Sequence, residues 1–414
     1  MSIFFYNIFL GLYLIGVRLL SFWNPKAKLW LSGRKKFPAI TVKPGSSVVW
    51  MHCASLGEFE QGRPVLESVK DQYPTAIIIL TFFSPSGYEV QKNYKGADHV
   101  FYLPMDSAAN AKKFIDAIQP TLVLWVKYEY WFYYLAELQK RNIPTLLISG
   151  IFREGQPFFK WYGSMWKKVL GAFTHFFVQN EASVKLLSGV GVIANVSISG
   201  DTRFDRVIAI AEKFEPVAGI EEFCGDSQVI VAGSTWEDDE AELVHYVKAN
   251  ANIKFIIAPH EIGADNLKVV KAAFPNAIFY SELLELQEKG ISSNCLIIDN
   301  IGMLSRLYKY ADITYVGGAF GEGLHNILEA AVYGKPILFG PDYDKYAEAV
   351  DLIDRCAAIS INNALELEEE FIYLLTNADE LAAASKEAKD YVYAKKGATE
   401  KISRFIYENR LLTI

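Results

Sequence analysis

Acidic side chains are missing from the first 57 residues. That stretch still holds Arg18, Lys26, Lys28, Arg34, Lys35, Lys36 and Lys43, a local charge of +7. The 414-residue chain is −7 overall, so the part after Gly57 carries −14. Such a balance excludes a general nucleic-acid binder, which is usually basic. Cysteine is scarce as well. Cys53, Cys224, Cys295 and Cys356 stand far apart, with no Cys-x-x-Cys pair and no Cys/His cluster. This excludes a disulfide framework and a zinc site, and fits reduced thiols in a cytoplasmic body. The G-x-G-x-x-G dinucleotide fingerprint is absent, as are solenoid-length repeats and low-complexity tracts. Neither a metal nor a cofactor is expected.

With 51% hydrophobic and 21% charged residues, the chain is far from a disordered composition. Its longest apolar run is Ile3–Trp23, in which only Arg18 is charged. As a helix it would reach about 32 Å, enough for a hydrocarbon core of ~30 Å. The basic residues follow the run and no small-residue cleavage site closes it, unlike a signal peptide. The positive-inside rule then puts the body in the cytoplasm, with the run as an anchor that spans the bilayer or lies in its interface.

Beyond Pro44, short apolar runs alternate with helical stretches. Ser47–His52, Ala76–Phe82, His99–Leu103, Thr121–Lys127, Thr145–Ser149, His175–Gln179 and Asn195–Ser199 read as strands buried on both faces. A second series covers Gln228–Ala232, Ile253–Ala258, Cys295–Ile298, Asp312–Val316, Pro336–Phe339 and Ala357–Ile359. Intervening helices imply right-handed crossovers and parallel sheets. The expected organisation is an anchor and basic segment at 1–36, an α/β domain at 37–207, a linker at 208–227, a second α/β domain at 228–395 and a C-terminal helix at 396–414. Two Rossmann-like domains would face a cleft, with the chemistry on loops at the carboxyl ends of strands.

The richest loop is Val316-Gly317-Gly318-Ala319-Phe320-Gly321-Glu322-Gly323-Leu324-His325-Asn326-Ile327-Leu328-Glu329-Ala330. Four glycines let backbone N–H groups approach an anion, and a helix is expected to carry Asn326 and Glu329 on one face, the carboxylate suited to ribose hydroxyls. Gly233-Ser234-Thr235, Pro259-His260-Glu261 and Asp299-Asn300-Ile301-Gly302-Met303-Leu304 end other strands of this half. In the first half, His52-Cys53-Ala54-Ser55-Leu56-Gly57-Glu58 leads from a strand into a helix. Ser55 and Glu58 have capping-box spacing, yet a carboxylate at a strand end is also a plausible general base. Glu129 ends a third strand among aromatics, and Arg153 and Arg203 follow others; surface ion pairs are the plainer account of each arginine.

In combination these segments resemble the 3-deoxy-D-manno-octulosonic acid (Kdo) transferases of lipopolysaccharide synthesis. The resemblance rests on Ala54-Ser55-Leu56-Gly57-Glu58, Ser84-Pro85-Ser86-Gly87, Gly200-Asp201-Thr202-Arg203-Phe204-Asp205, Ala232-Gly233-Ser234-Thr235, and Gly317-Gly318 with His325-Asn326-Ile327-Leu328-Glu329. It implies a GT-B glycosyltransferase that moves Kdo from CMP-Kdo to lipid IVA at the cytoplasmic face of the inner membrane, without metal or cofactor and without nucleic acid. By resemblance, Glu58 is the base, and Glu129 and Arg203 stabilise the transition state. Pro259, His260, Gly302, Met303, Leu304, Asn326, Ile327, Leu328 and Glu329 match the CMP-binding segments. The usual Pro-Arg-His-Pro is Pro259-His260-Glu261-Ile262 here. The alternatives are another GT-B transferase, a sugar-nucleotide epimerase, or a tethered two-domain binding protein without chemistry.

Overall fold

The computed structural model describes residues 3–40, 42–43, 45–286 and 293–412. The remaining positions of the expected segments (1–2, 41, 44, 287–292 and 413–414) lie outside the described residues. The chain divides into two units, Met1–Arg206 with Gly397–Ile414, and Val207–Lys396.

Unit one is built on β1 (Val48–Cys53), β2 (Ile77–Phe82), β3 (His99–Tyr102), β4 (Leu122–Val126), β5 (Thr145–Gly150), β6 (His175–Val178) and β7 (Val196–Ile198). They pair in the order β3-β2-β1-β4-β5-β6-β7, every pair parallel. Every residue of β1 and β4 is buried. The period of two divides them between two cores. Val48, Trp50, Val123 and Trp125 enter one cluster, and Val49, Met51, Cys53, Leu122, Leu124 and Val126 enter the other. With both faces covered, polar groups are left to the strand ends.

The helix after β1, Leu56–Gln72, lies unusually close to that sheet. A Cβ at Gly62 would sit 2.8 Å from both Met51 Sδ and Val126 Cγ2. The close approach brings the first turn of this helix, with Glu58, down to the ends of β1 and β4.

Unit two repeats the plan with β8 (Val229–Thr235), β9 (Lys254–Pro259), β10 (Ile278–Phe279), β11 (Cys295–Ile297), β12 (Ile313–Val316), β13 (Ile337–Phe339) and β14 (Ala358–Ser360). Their order is β10-β11-β9-β8-β12-β13-β14, again parallel throughout. The sequence reading lacked β10, a two-residue edge strand too short to carry a periodic signal.

One segment differs from expectation. Residues 208–227, read as a linker, belong to unit two. Val217 N–H donates to the Tyr310 hydroxyl at 2.8 Å, and Phe223 and Cys224 of the short helix Ile220–Cys224 are buried. The chain ends in the helices Ala378–Ala394 and Ala398–Glu408, separated at Gly397 with φ of 113°. Only the first stays with unit two. The second packs on unit one through Ile402 and Ile406, and Asp205 accepts from the Gly397 and Thr399 N–H groups at 2.7 and 2.6 Å.

The N-terminal run is helix α1 (Ile3–Leu20), followed by α2 (Pro25–Gly33), which Asn24 caps through the Ala27 N–H at 3.0 Å. By length and composition α1 is able to cross a membrane. Here it lies along unit one, with Tyr6 and Leu10 buried and Phe4, Phe5, Leu12, Phe22 and Trp23 exposed.

Asp205→Ala orphans two backbone donors at the start of the last helix. The expected cost is about 1–3 kcal/mol of stability, read from the urea midpoint, and limited proteolysis should cut first beside Gly397.

Candidate active site

The ends of β1, β4 and the loop before the helix Thr202–Glu212 meet in unit one. Glu58 stands in the first turn of the helix Leu56–Gln72 and is 8% exposed. The capping box does not form: Ser55 makes no side-chain cap, and the Glu58 carboxylate accepts from the Ala54 N–H instead. Burial pushes the Glu58 carboxyl up to about 7. The Ala54 N–H opposes the rise, the nearby Glu129 carboxylate adds to it, and the Lys127 ammonium and Tyr128 N–H lower it. Lys127 is itself buried, in a left-handed backbone conformation with φ of 47°. Sequence reading passed over it, because a lysine at a strand end carries no pattern.

Glu129 follows on the same loop. Its Oε2 accepts from Trp131 Nε1 at 2.8 Å and lies 3.1 Å from His52 Nε2. His52 is fully buried, and its Nδ1 lies 2.9 Å from Thr81 Oγ1, which also accepts from Trp50 Nε1 at 2.8 Å. The shorter of the two contacts open to the Thr81 proton is His52 Nδ1, against 3.4 Å to the Met51 carbonyl. That assignment leaves the imidazole proton on Nε2, donated to Glu129. The chain Trp50–Thr81–His52–Glu129–Trp131 was legible only in part, since its members come from two strands and a loop.

Arg203 is held by Asp201, which accepts from its N–H and its Nε, both at 2.9 Å. Thr202 ties this turn inward, bonding the Gln61 carbonyl and lying 2.8 Å from Ser149 Oγ. The Tyr128 hydroxyl is raised chiefly by burial and by Asp201 and Glu58, and lowered by Arg153 and Arg203. Glu58 is thus shared between two sets of charges, Lys127 and Glu129 acting on it directly and Arg153, Asp201 and Arg203 acting with it on Tyr128.

Unit two carries the other expected residues. Gly317 N–H donates to the Gly233 carbonyl at 2.9 Å, joining the two glycine loops. The fully buried Asp239 clamps them: its carboxylate accepts from Trp236 N–H at 2.9 Å, Gly318 N–H at 2.9 Å and the Tyr315 hydroxyl at 2.7 Å. Gly318, with φ of 94°, admits no side chain, because a Cβ would lie 2.3 Å from the Gly323 carbonyl oxygen. Trp236, His260 and His325 stack, with centroids 4.7 and 4.4 Å apart. Burial lowers His325 to about 4, so it is neutral and accepts from Trp236 Nε1 at 3.2 Å.

The helix expected to carry Asn326 and Glu329 is shorter than the sequence suggests. It is the single turn Leu328–Ala331, and Asn326 and Ile327 precede it, since glycines at 321 and 323 with φ of 141° and 106° unwind the approach. A dipole argument for this turn lapses, but the side-chain pairing stands: Asn326 Nδ2 donates to Glu329 Oε1 at 3.0 Å. Asn326 Oδ1 is buried and has no hydrogen-bond partner among the described residues. Gly302 is left-handed with φ of 97°, and Met303 caps the turn Leu304–Leu307. Pro259 closes β9, and His260 N–H donates to the Thr235 carbonyl at 2.9 Å. Asp342-Tyr343-Asp344 is an Asp-x-Asp sequence just beyond β13, yet among the described residues no group of three or more His, Cys, Asp or Glu is placed to hold a metal ion.

The sequence model described as 3-deoxy-D-manno-octulosonic-acid transferase (kdotransferase) matches residues 30–206. A bifunctional glycosyltransferase/methyltransferase of Fusobacterium nucleatum is 27% identical over 382 residues, covering 88% of this chain and 56% of that protein. This chain thus spans little more than half the length of that relative. The 3-deoxy-D-manno-octulosonic acid transferase of Aquifex aeolicus is 26% identical over 365 residues, covering 86% of this chain and 92% of that one. Among solved structures, the UDP-GlcNAc 2-epimerase of Neisseria meningitidis bound to UDP-GlcNAc superposes with a TM-score of 0.63 at 16% identity, over 87% of this chain and 100% of that one. Two parallel sheets covered by helices give the chain a GT-B-like fold. Residues 30–206 and the relatives that carry the name make the chain similar to the 3-deoxy-D-manno-octulosonic acid transferases.

Asp239→Asn keeps the volume but replaces one accepting oxygen with an amide N–H₂, which then faces either the Tyr315 hydroxyl or the Trp236 and Gly318 N–H groups. Stability is expected to fall by about 1–3 kcal/mol, measured by urea unfolding.

Proposed function

We propose that the protein transfers Kdo from CMP-Kdo to lipid IVA, a lipid A precursor, at the cytoplasmic face of the inner membrane. The observation that carries this reading is Glu58, a buried carboxyl poised at about 7 near Glu129 and Lys127 in a chain similar to Kdo transferases. A sugar hydroxyl is a poor nucleophile at neutral pH. As its oxygen bonds to the anomeric carbon of Kdo, the bond from that carbon to the CMP phosphate breaks. The phosphate leaves with the electron pair, and Glu58 takes the hydroxyl proton. A base with a pKa near the working pH is best matched to that task.

Glu129 then faces the positive charge developing at the anomeric centre. Arg203 answers the negative charge on the departing phosphate, an interaction strongest in the transition state. Unit two holds the donor. Glu329 suits the ribose hydroxyls, and the unpartnered Asn326 oxygen suits an N–H or O–H of the ligand. His260, Gly302, Met303 and Leu304 line the same group of loops. The exposed apolar face of α1 and the basic residues at 26–36 favour a membrane surface and a phosphorylated lipid, each basic residue adding about 1 kcal/mol at an anionic surface.

The direct test is release of labelled CMP from CMP-Kdo that depends on lipid IVA, with mass spectrometry of the lipid product. Only ionised Glu58 accepts a proton, so kcat/KM should fall as pH drops through about 7. Glu58→Gln should remove that limb and cost roughly 10²–10⁴-fold in turnover. Near-normal turnover in a folded, CMP-binding variant rejects the assignment.

Glu329→Ala should act on the donor instead. Losing charge-assisted hydrogen bonds of about 1.5–3 kcal/mol should raise the CMP-Kdo KM by tenfold or more, with little change in the lipid KM.

A further inference from the structure

The helix that meets the membrane also touches the loop that carries Glu129. Immediately after that loop comes the helix Phe132–Lys140, whose first N–H groups have no partner within the helix. Trp131 at its N-cap supplies no side-chain bond. Those donors are satisfied from elsewhere. Asp106 accepts from the Tyr133 and Tyr134 N–H groups, both at 3.1 Å. The hydroxyl of Tyr6 on α1 donates to Asp106 Oδ2 at 2.6 Å and lies 3.4 Å from the Phe132 N–H. Tyr6 is 3% exposed, with its ring against Phe132, Tyr133 and Trp166. One residue along, the Tyr133 hydroxyl donates to Asn7 Oδ1 at 2.8 Å.

A second line of contact runs from the other end of α1. The Tyr13 ring packs on Trp30 and Phe83, with centroids 5.6 and 6.0 Å apart. Phe83 in turn lies 4.6 Å from Trp131, whose Nε1 donates to the Glu129 carboxylate. Arg34 locks this aromatic group, with its guanidinium 3.9 Å from the Trp30 ring and hydrogen bonds to the Phe83 and Leu103 carbonyls at 2.6 and 2.9 Å. Phe5 and Leu12 of the same helix are exposed.

We propose that α1 is part of the catalytic site as well as a tether: Tyr6 and Tyr13 are positioning residues that hold Glu129 through the Phe132 helix start and the Phe83–Trp131 pair. The proposal rests on the reading of Glu129 as the group that faces the anomeric charge. A misplaced carboxylate costs transition-state stabilisation and leaves donor binding in unit two alone, so the effect belongs in kcat.

The test uses the purified full chain, CMP-Kdo and detergent-dispersed lipid IVA, so that access to a bilayer is not limiting. Tyr6→Phe and Tyr13→Leu should each lower kcat by about tenfold, with the CMP-Kdo KM within about twofold of wild type. In single-turnover measurements on a Glu129→Gln background, neither should lower the rate further. Leu12→Ser, on the outward face, should weaken partition onto anionic phospholipid vesicles and leave kcat unchanged. Equal losses in both backgrounds would make Tyr6 and Tyr13 purely structural, and unchanged kcat in both single variants would also overturn the proposal. If Tyr6→Phe does not fold, Tyr13→Leu carries the same cycle. If Glu129→Gln turns over normally, the role of Glu129 itself fails and takes the proposal with it, an outcome distinct from a dead Glu129→Gln with normal tyrosine variants.

Discussion

A parallel sheet covered on both faces has no room for polar chemistry except at the strand ends. Both units of this protein live under that constraint. Their central strands are apolar on alternate faces and buried throughout, so each ionisable group that matters is displaced to a loop at a carboxyl edge. The functional clusters of the two units follow directly. One is a group of charged side chains around Tyr128, and the other is a set of glycine loops joined by Asp239.

The same constraint puts carboxylates where water is scarce, and their partners decide what each one does. Asp239 receives three donors and serves as a clamp. Asp106 receives backbone N–H groups and the Tyr6 hydroxyl, and serves as a helix cap supplied from outside the helix. Glu58 has too few donors to offset its burial and a second carboxylate nearby, so it rests near neutrality. Glu129 is oriented by an imidazole and an indole that both address one oxygen. Identical chemistry is thus placed in different electrostatic settings by the number of N–H groups within reach.

Helix α1 combines two features. It is hydrophobic enough to be a candidate membrane span, and a polar atom on one face, the Tyr6 hydroxyl, gives it an address on the body of unit one.

Much of the architecture was legible in the sequence. Strands such as Leu122–Val126 and Ile313–Val316 are continuous apolar runs, and such runs between helical stretches report a parallel sheet because burial on both faces demands them. The loops that hold Glu58, Glu129, Arg203 and Asn326 were legible too, since glycine and charge at strand ends are local signals. Tertiary structure decided the rest. The pairing of His52 with Glu129 crosses 77 positions, and that of Asp239 with Gly318 crosses 79, so no local pattern records either. Whether residues 208–227 hang free or pack depended on the distant Tyr310, and the last helix joins unit one because Asp205 accepts its first N–H groups. The charge of Glu58 is the clearest division. Its place at a helix start is written in the chain, but the balance between burial, N–H donors and neighbouring charges exists only once the strands have brought those groups together.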